Sequence, residues 1–167
     1  MCDLDIELRS AAAQLVEDAS KRGVSFGCAE SCTGGMVASC VTGAPGASAV
    51  FLGGVVSYAI SVKKSVLGVE DWIFEDDTLG AVSAPCAEQM SLGACRALGC
   101  DAVVSTTGIA GPTGAEPGKP VGTVWFGLCV NGKTSSAVMY FDGNREQVRK
   151  QATLHALHLL HEAIMRI

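Results

Sequence analysis

Residues 24–41 read VSFGCAESCTGGMVASCV, three segments of different character. Val24 to Ala29 is short, apolar and uncharged, the pattern of a buried strand. The glycine pair Gly34-Gly35 interrupts it, and Met36 to Val41 resumes as a helix. A strand, a glycine-bearing loop and a helix, in that order, bring the helix's N-terminal amides to the carboxyl end of the strand. α/β proteins keep their ligands at such places, so this segment predicts both a fold class and a site.

The segments on either side extend the same reading. Upstream, Leu4, Leu8, Ala11, Ala12, Leu15 and Val16 recur at helical spacing up to Arg22, and Gly23 is a natural stop. Downstream, residues 43–48 form a turn by composition. Val50 to Ala59 follows as a strand holding Gly53-Gly54, then a short helix from Val62 to Leu67 ends at Gly68. Residues 70–80 read as an irregular surface connection. Ser83 is the expected N-cap of a helix running to Gly99. Asp101 to Ser105 reads as a further buried strand, and Gly108 to Pro120, rich in Gly and Pro, as a loop. Val121 to Val130 and Thr134 to Phe141 flank Asn131-Gly132, which suits a type I′ hairpin and antiparallel pairing. Arg145 to Ile167 closes the chain as a long helix with Val148, Ala152, Leu157, Leu160 and Ile164 on one side. The expected architecture is one α/β domain over residues 1–167: a layered α/β/α arrangement with a mixed sheet, a C-terminal antiparallel hairpin and a long C-terminal helix.

At 167 residues the chain is long enough to bury a single core without disulfides or a structural metal. It is 49% hydrophobic but 5% aromatic, with 20 glycines, so small aliphatic side chains must pack closely against glycine-rich backbone. The net charge of -5, with no basic run beyond Lys63-Lys64, argues against a nucleic-acid partner. No apolar run is long enough to span a bilayer; Ala47 to Val56 is broken by glycines, and no membrane partner is expected. The acidic, helical start does not read as a signal peptide, so the expected location is the cytoplasm and the eight cysteines are expected to be reduced. Cys28 and Cys32, or Cys95 and Cys100, lack the Cys-x-x-Cys spacing of a zinc site, and no metal or cofactor is expected. Sheet edges and a high apolar fraction make a homo-oligomer the expected state.

Three groups of residues point to chemistry. In Glu30-Ser31-Cys32-Thr33-Gly34-Gly35, hydroxyls and unhindered amides gather at a helix start, a setting for an oxyanion or phosphate; a simple helix cap with a tight turn explains the same residues. Ser48, Tyr58 and Lys63 lie on one turn, strand and helix unit. A lysine kept neutral by burial takes the proton of a serine hydroxyl without any histidine. Thr106-Thr107-Gly108 sits at a strand's carboxyl end beside the loop to Pro120, and Arg145 offers a guanidinium for an anion. His155, His158 and His161 recur every third residue on a helix, each step about 60° short of a turn, and are read as a polar stripe. Asp76-Asp77 is read as a solvated loop.

Seven segments then combine. AESCTGG from Ala29, PGAS from Pro45, FLGGVVSY from Phe51, KKSVLGV from Lys63, STTGIAGP from Ser105, KPVGTVWFGL from Lys119 and FDGNREQVR from Phe141 resemble, in order, the motifs of the CinA C-terminal domain family. Members of that family are similar to nicotinamide-nucleotide amidohydrolase. The resemblance implies metal-independent hydrolysis of the carboxamide of nicotinamide mononucleotide to nicotinate mononucleotide and ammonia, in pyridine-nucleotide salvage, with a small nucleotide as the partner. Some relatives carry an additional N-terminal hydrolase domain, whose activity is expected to be absent here. By matching motif, Ser31, Ser48, Tyr58 and Lys63 are the catalytic candidates, and Thr107 and Arg145 the substrate contacts. Glu30, Cys32, Thr33, Gly34, Gly35 and Gly108 join the expected binding set. In this reading Lys63 and Tyr58 activate Ser48, while the first loop grips the phosphate, with Ser31 the alternative nucleophile. Relatives often show Tyr-Ser-Asn-Glu-x-Lys where this chain has Tyr58-Ala59-Ile60-Ser61-Val62-Lys63. That departure leaves two further readings: a nucleotide-binding regulatory module without turnover, and an amidohydrolase acting on a different amide.

Overall fold

The computed structural model describes residues 3–167. Five strands form one mixed sheet in the order β2-β1-β3-β4-β5: β1 is Phe26–Glu30, β2 Phe51–Val56, β3 Ala102–Gly108, β4 Thr123–Val130 and β5 Lys133–Tyr140. β1 is paired in parallel with both β2 and β3, while β3 with β4 and β4 with β5 are antiparallel. The helices are α1 (Asp3–Arg22), α2 (Met36–Thr42), α3 (Ile60–Leu67), α4 (Trp72–Glu75), α5 (Ala84–Leu98) and α6 (Arg145–Met165).

Topology assigns the helices to faces. The chain leaves β1 through α2 to reach β2 on one side, then returns through α3, α4 and α5 to reach β3 on the other. Right-handed crossovers in opposite directions put their helices on opposite faces of the sheet. α1, α2 and α6 accordingly enclose one core, built from Leu15, Val16, Phe26, Val37, Val41, Leu157 and Leu160 among others. α3 and α5 enclose the second, with Ile73, Met90, Ala94 and Val103. The layered α/β/α arrangement, the hairpin and the long last helix are as expected. Among the described residues no helix is long and apolar enough to cross a membrane.

Element ends differ from the sequence reading where tertiary partners set them. β1 starts at Phe26 because the Asp101 carboxylate takes both the amide of Ser25 (2.8 Å) and its hydroxyl (2.6 Å). β3 runs on to Gly108 because Thr106, Thr107 and Gly108 still pair with Phe126, Trp125 and Val124. Gly108 is there for packing: a Cβ would lie 2.6 Å from the Thr123 carbonyl oxygen. β2 stops at Val56, and residues 70–80 include the single helical turn α4. At the hairpin, Asn131 (φ 49°) and Gly132 (φ 77°) both take the left-handed conformation that a type I′ turn requires. Ser83 caps α5 through the Cys86 amide, and Asn144 with Gln147 forms a capping box at the start of α6. The three histidines diverge. His155 packs edge-on to Phe126, with ring centres 4.7 Å apart, and burial lowers its pKa. His161 lies 2.9 Å from Asp18, and His158 is exposed. In the loop before α5, Asp76 accepts the amide and hydroxyl of Thr78.

α5 presses on the end of α3 at Gly93, where an added Cβ would sit 1.9 Å from the Leu67 carbonyl oxygen. Alanine in a helix interior ordinarily stabilises by about 1 kcal/mol over glycine. Here overpacking against backbone reverses the sign, so Gly93→Ala is expected to destabilise by about 1–3 kcal/mol. A thermal melt should show a fall of roughly 2–10 °C; an unchanged or raised midpoint contradicts the close approach.

Candidate functional site

The parallel strands β1 and β2 end side by side at Glu30 and Val56, and Glu30 is also paired with Thr106 of β3. Ser31 is the first residue beyond β1, and its amide donates to the Thr106 carbonyl at 2.9 Å. β2 leads directly into α3, which carries Lys63 back over this edge. The lysine is 1% exposed. Its Nζ lies 2.8 Å from Ser31 Oγ, 2.6 Å from the Ser57 carbonyl oxygen and 3.4 Å from that of Tyr58. None of these oxygens is a carboxylate, and the groups that feel its charge are the thiols of Cys86 and Cys32. Burial without a counter-ion lowers the pKa of Lys63. A neutral amine has two N–H groups and one lone pair. As an ammonium Lys63 donates to all three oxygens; once it has lost a proton, the two carbonyls can take the N–H groups, which leaves the lone pair for the Ser31 hydroxyl.

Glu30 has a different task from the one its neighbours imply. Its carboxylate is 1% exposed and accepts the amides of Gly35 (2.9 Å), Val37 (3.1 Å) and Ala38 (2.9 Å). The start of α2 is therefore already occupied by an internal anion. Gly34 and Gly35 take φ values of 61° and 97°, which lets the chain turn tightly enough for this. The expected phosphate grip by these amides is corrected: the loop's helix-capping donors are taken by Glu30. Thr33 and Thr107 are also engaged, Thr33 Oγ1 lying 2.7 Å from Thr106 Oγ1 and Thr107 Oγ1 donating to the Ala81 carbonyl at 2.6 Å. Among the described residues the amides of Cys32 and Thr33 donate to no protein oxygen. They are the free donors next to Ser31.

The grouping of Ser48 with Tyr58 and Lys63 does not survive. Ser48 is exposed on the 3-10 turn Ala47–Ala49, before Phe51, which pairs with Phe26 at the start of β1. A strand passes straight through a sheet, so Ser48 and Lys63 stand at opposite edges, separated by the length of β2, roughly 20 Å. The Tyr58 side chain is 64% exposed, and its hydroxyl meets Arg145 Nη2 at 3.3 Å. Arg145 also donates through Nη1 to the Gly111 carbonyl at 2.8 Å. Tyr58 and Arg145 thus form a rim, and Tyr58 contributes its carbonyl, not its phenol, to Lys63. Ser57 adds a hydroxyl that is fully buried and has no partner among the described residues. Sequence reasoning missed Arg149, one helical turn after Arg145 on α6. Its Nε and Nη2 donate to the carbonyls of Cys32 (3.1 Å) and Thr33 (2.7 Å). The four-residue spacing from Arg145 was the available signal.

Glu30→Gln replaces one acceptor oxygen by a donor that faces a backbone N–H. It is expected to destabilise the fold by about 1–3 kcal/mol, measured by urea unfolding; an unchanged midpoint would mean that the three amides do not depend on the carboxylate.

The family model described as CinA C-terminal domain matches residues 8–164. A nicotinamide-nucleotide amidohydrolase PncC of Enterobacter agglomerans is 46% identical over 78% of this chain and 79% of its own length. CinA-like proteins of Kosmotoga olearia and of an Anaeromyxobacter species are 41% and 46% identical over 87% and 91% of this chain. The chain spans only 35% and 37% of those two relatives. A CinA superfamily protein of Klebsiella pneumoniae superposes with a TM-score of 0.90 at 32% identity, covering 96% of this chain and 99% of the other. CihA of Agrobacterium tumefaciens gives 0.89 at 35% identity, covering 94% and 95%. With the family model matching nearly its whole length and the same fold in solved relatives, the chain belongs to the CinA C-terminal domain family.

Proposed function

We propose that residues 1–167 act as one amidohydrolase unit that converts nicotinamide mononucleotide to nicotinate mononucleotide and ammonia. The observation that carries this reading is the 2.8 Å approach of a buried lysine, lowered in pKa and lacking a carboxylate, to Ser31 Oγ. The amide class and the nucleotide come from the PncC relative, 46% identical.

The chemistry follows from protein groups alone. Neutral Lys63 takes the Ser31 proton as Oγ attacks the carboxamide carbon. The carbonyl oxygen becomes an oxyanion, for which the Cys32 and Thr33 amides are the adjacent free donors. Protonated Lys63 then delivers its proton to the amide nitrogen, the C–N bond breaks and ammonia leaves. Water, deprotonated by Lys63, attacks the acyl-serine; the carboxylate product departs and Ser31 regains its proton. Arg145 and Tyr58 at the rim are the groups for the nucleotide's phosphate, in place of the α2 amides that Glu30 occupies. Ser48, at the far edge of the sheet, takes no part.

The purified chain is expected to release ammonia from nicotinamide mononucleotide. Ser31→Ala and Lys63→Met should each lower kcat by about 10³-fold or more, while Ser48→Ala stays within about threefold of wild type. Loss with Ser48→Ala and retention with Ser31→Ala would reverse the nucleophile assignment. Calorimetric binding without ammonia would favour a regulatory module, and release only from other amides would change the substrate.

The pH dependence has a definite sign. Below its pKa, Lys63 is an ammonium and cannot accept the serine proton; above it, the lone pair is available. kcat/KM should therefore rise with pH along a limb whose midpoint lies below 10.5, the ordinary lysine value. Lys63→Arg should remain inactive up to pH 10, because a guanidinium keeps its proton. An active Lys63→Arg enzyme would rule out the lysine as base.

A further inference from the structure

Among the described residues Arg149 is the one cation that grips the loop after Ser31, and the steps above leave it without a role. Its guanidinium reaches across from α6 to a loop 116 residues earlier in the chain and holds two successive carbonyls, those of Cys32 and Thr33. In a trans peptide the N–H points opposite to the C=O. Holding the Cys32 carbonyl toward Arg149 therefore turns the Thr33 amide away from it. Two left-handed glycines follow at once, and a glycine-rich loop has little torsional stiffness of its own. Its other restraints are the turn bond from the Gly34 amide to the Ser31 carbonyl (3.1 Å), the Ser31 amide on the Thr106 carbonyl, the Glu30 carboxylate on amides from Gly35 onward, and Thr33 Oγ1 against Thr106. The Cys32–Thr33 and Thr33–Gly34 peptide units are fixed from the carbonyl side by Arg149. Gly34 admits the guanidinium closely, since a Cβ there would lie 3.2 Å from Arg149 Nη2.

We propose that Arg149 is a positioning residue for the nucleophile loop: by holding the Cys32 and Thr33 carbonyls in one planar fork, it keeps the free Thr33 amide fixed for the oxyanion formed at Ser31. This rests on the amidohydrolase reading of the site. Arg149 touches no reacting atom; it acts through the backbone. The fork is what matters, because Nε and Nη2 serve two acceptors with a single rigid plane, which a lysine ammonium cannot reproduce. Arg145, one turn earlier, holds the Gly111 carbonyl and the Tyr58 hydroxyl, so the start of α6 supports both walls of the site.

The test compares Arg149→Ala and Arg149→Lys with wild type, each confirmed folded by circular dichroism at the assay temperature. With nicotinamide mononucleotide, Arg149→Ala should lose about 10²-fold in kcat, the scale of a misplaced oxyanion donor. KM should stay within about threefold, and the acid limb of the pH profile should keep its midpoint. Arg149→Lys should recover less than a tenth of the loss, whereas added guanidinium at millimolar concentration should recover part of it in Arg149→Ala. A second assay follows the p-nitrophenolate burst from p-nitrophenyl acetate, which acylates Ser31 without needing the nucleotide. The burst should slow to a similar extent. If wild type shows the burst but releases no ammonia, the substrate reading fails while the role of Arg149 is still decided by the burst. A raised KM with kcat intact, a shifted pH midpoint, or full kcat in the folded variants overturns the proposal. A wild type silent in both assays removes the nucleophile, and the proposal with it.

Discussion

The amine of Lys63 is enclosed by protein, beside one hydroxyl and two carbonyl oxygens, with no carboxylate to neutralise it. Burying an unpaired ammonium is costly, and that cost lowers the pKa of Lys63 from the ordinary lysine value. Much of the architecture serves to create that situation. β1 must deliver Ser31 at the sheet's carboxyl edge, β2 must end beside it, and α3 must fold back so that Lys63 crosses the same edge. A parallel β1–β2 pair with matched ends does all three. α5, with Cys86 close by, helps to seal the lysine from the other face.

The loop between β1 and α2 divides two tasks that a sequence alone merges. Its second half is tied to the helix by Glu30, whose carboxylate meets three backbone donors with the favourable sign of charge for a helix start. Its first half keeps the amides of Cys32 and Thr33 free beside the serine. An internal anion at α2 makes the binding of a second one there unfavourable by repulsion and by loss of donors. In the proposed function, charge for the nucleotide's phosphate comes from the rim, where Arg145 lies against Tyr58. The Glu30 carboxylate and Arg149 of α6 thus hold opposite ends of one seven-residue stretch, residues 32–38, in place.

Local signals carried most of the fold. The buried strand at Val24 to Ala29, the Asn131-Gly132 turn, the Ser83 cap and the periodic first and last helices each depend on neighbours a few residues away, and each element is present. Element ends were less legible, since Asp101 and β4 determine where β1 begins and β3 ends. At the site, Ser31 and Lys63 were both visible as candidates, but their pairing was not. Ser48 seemed the natural partner because it shares a contiguous unit with Lys63. A strand running between them puts them at opposite edges, and that follows only from the register of β2 on β1. Glu30 as an internal cap and Arg149 as a clamp were beyond reach for the same reason: the groups they hold are selected by tertiary geometry. The family motifs ended on Arg149 without giving it a task.

The protonation state of Lys63 is the most direct test of this account. The chain, labelled with carbon-13 at the lysine Cε position and with Lys63 assigned by its loss in Lys63→Met, can be titrated by NMR across pH 6 to 11. A Lys63 resonance that titrates clearly below the ordinary value of 10.5, apart from the exposed lysines, is the predicted result. A Lys63 that titrates with the exposed lysines or above them would contradict it, because an ammonium at that position could not take the proton of Ser31.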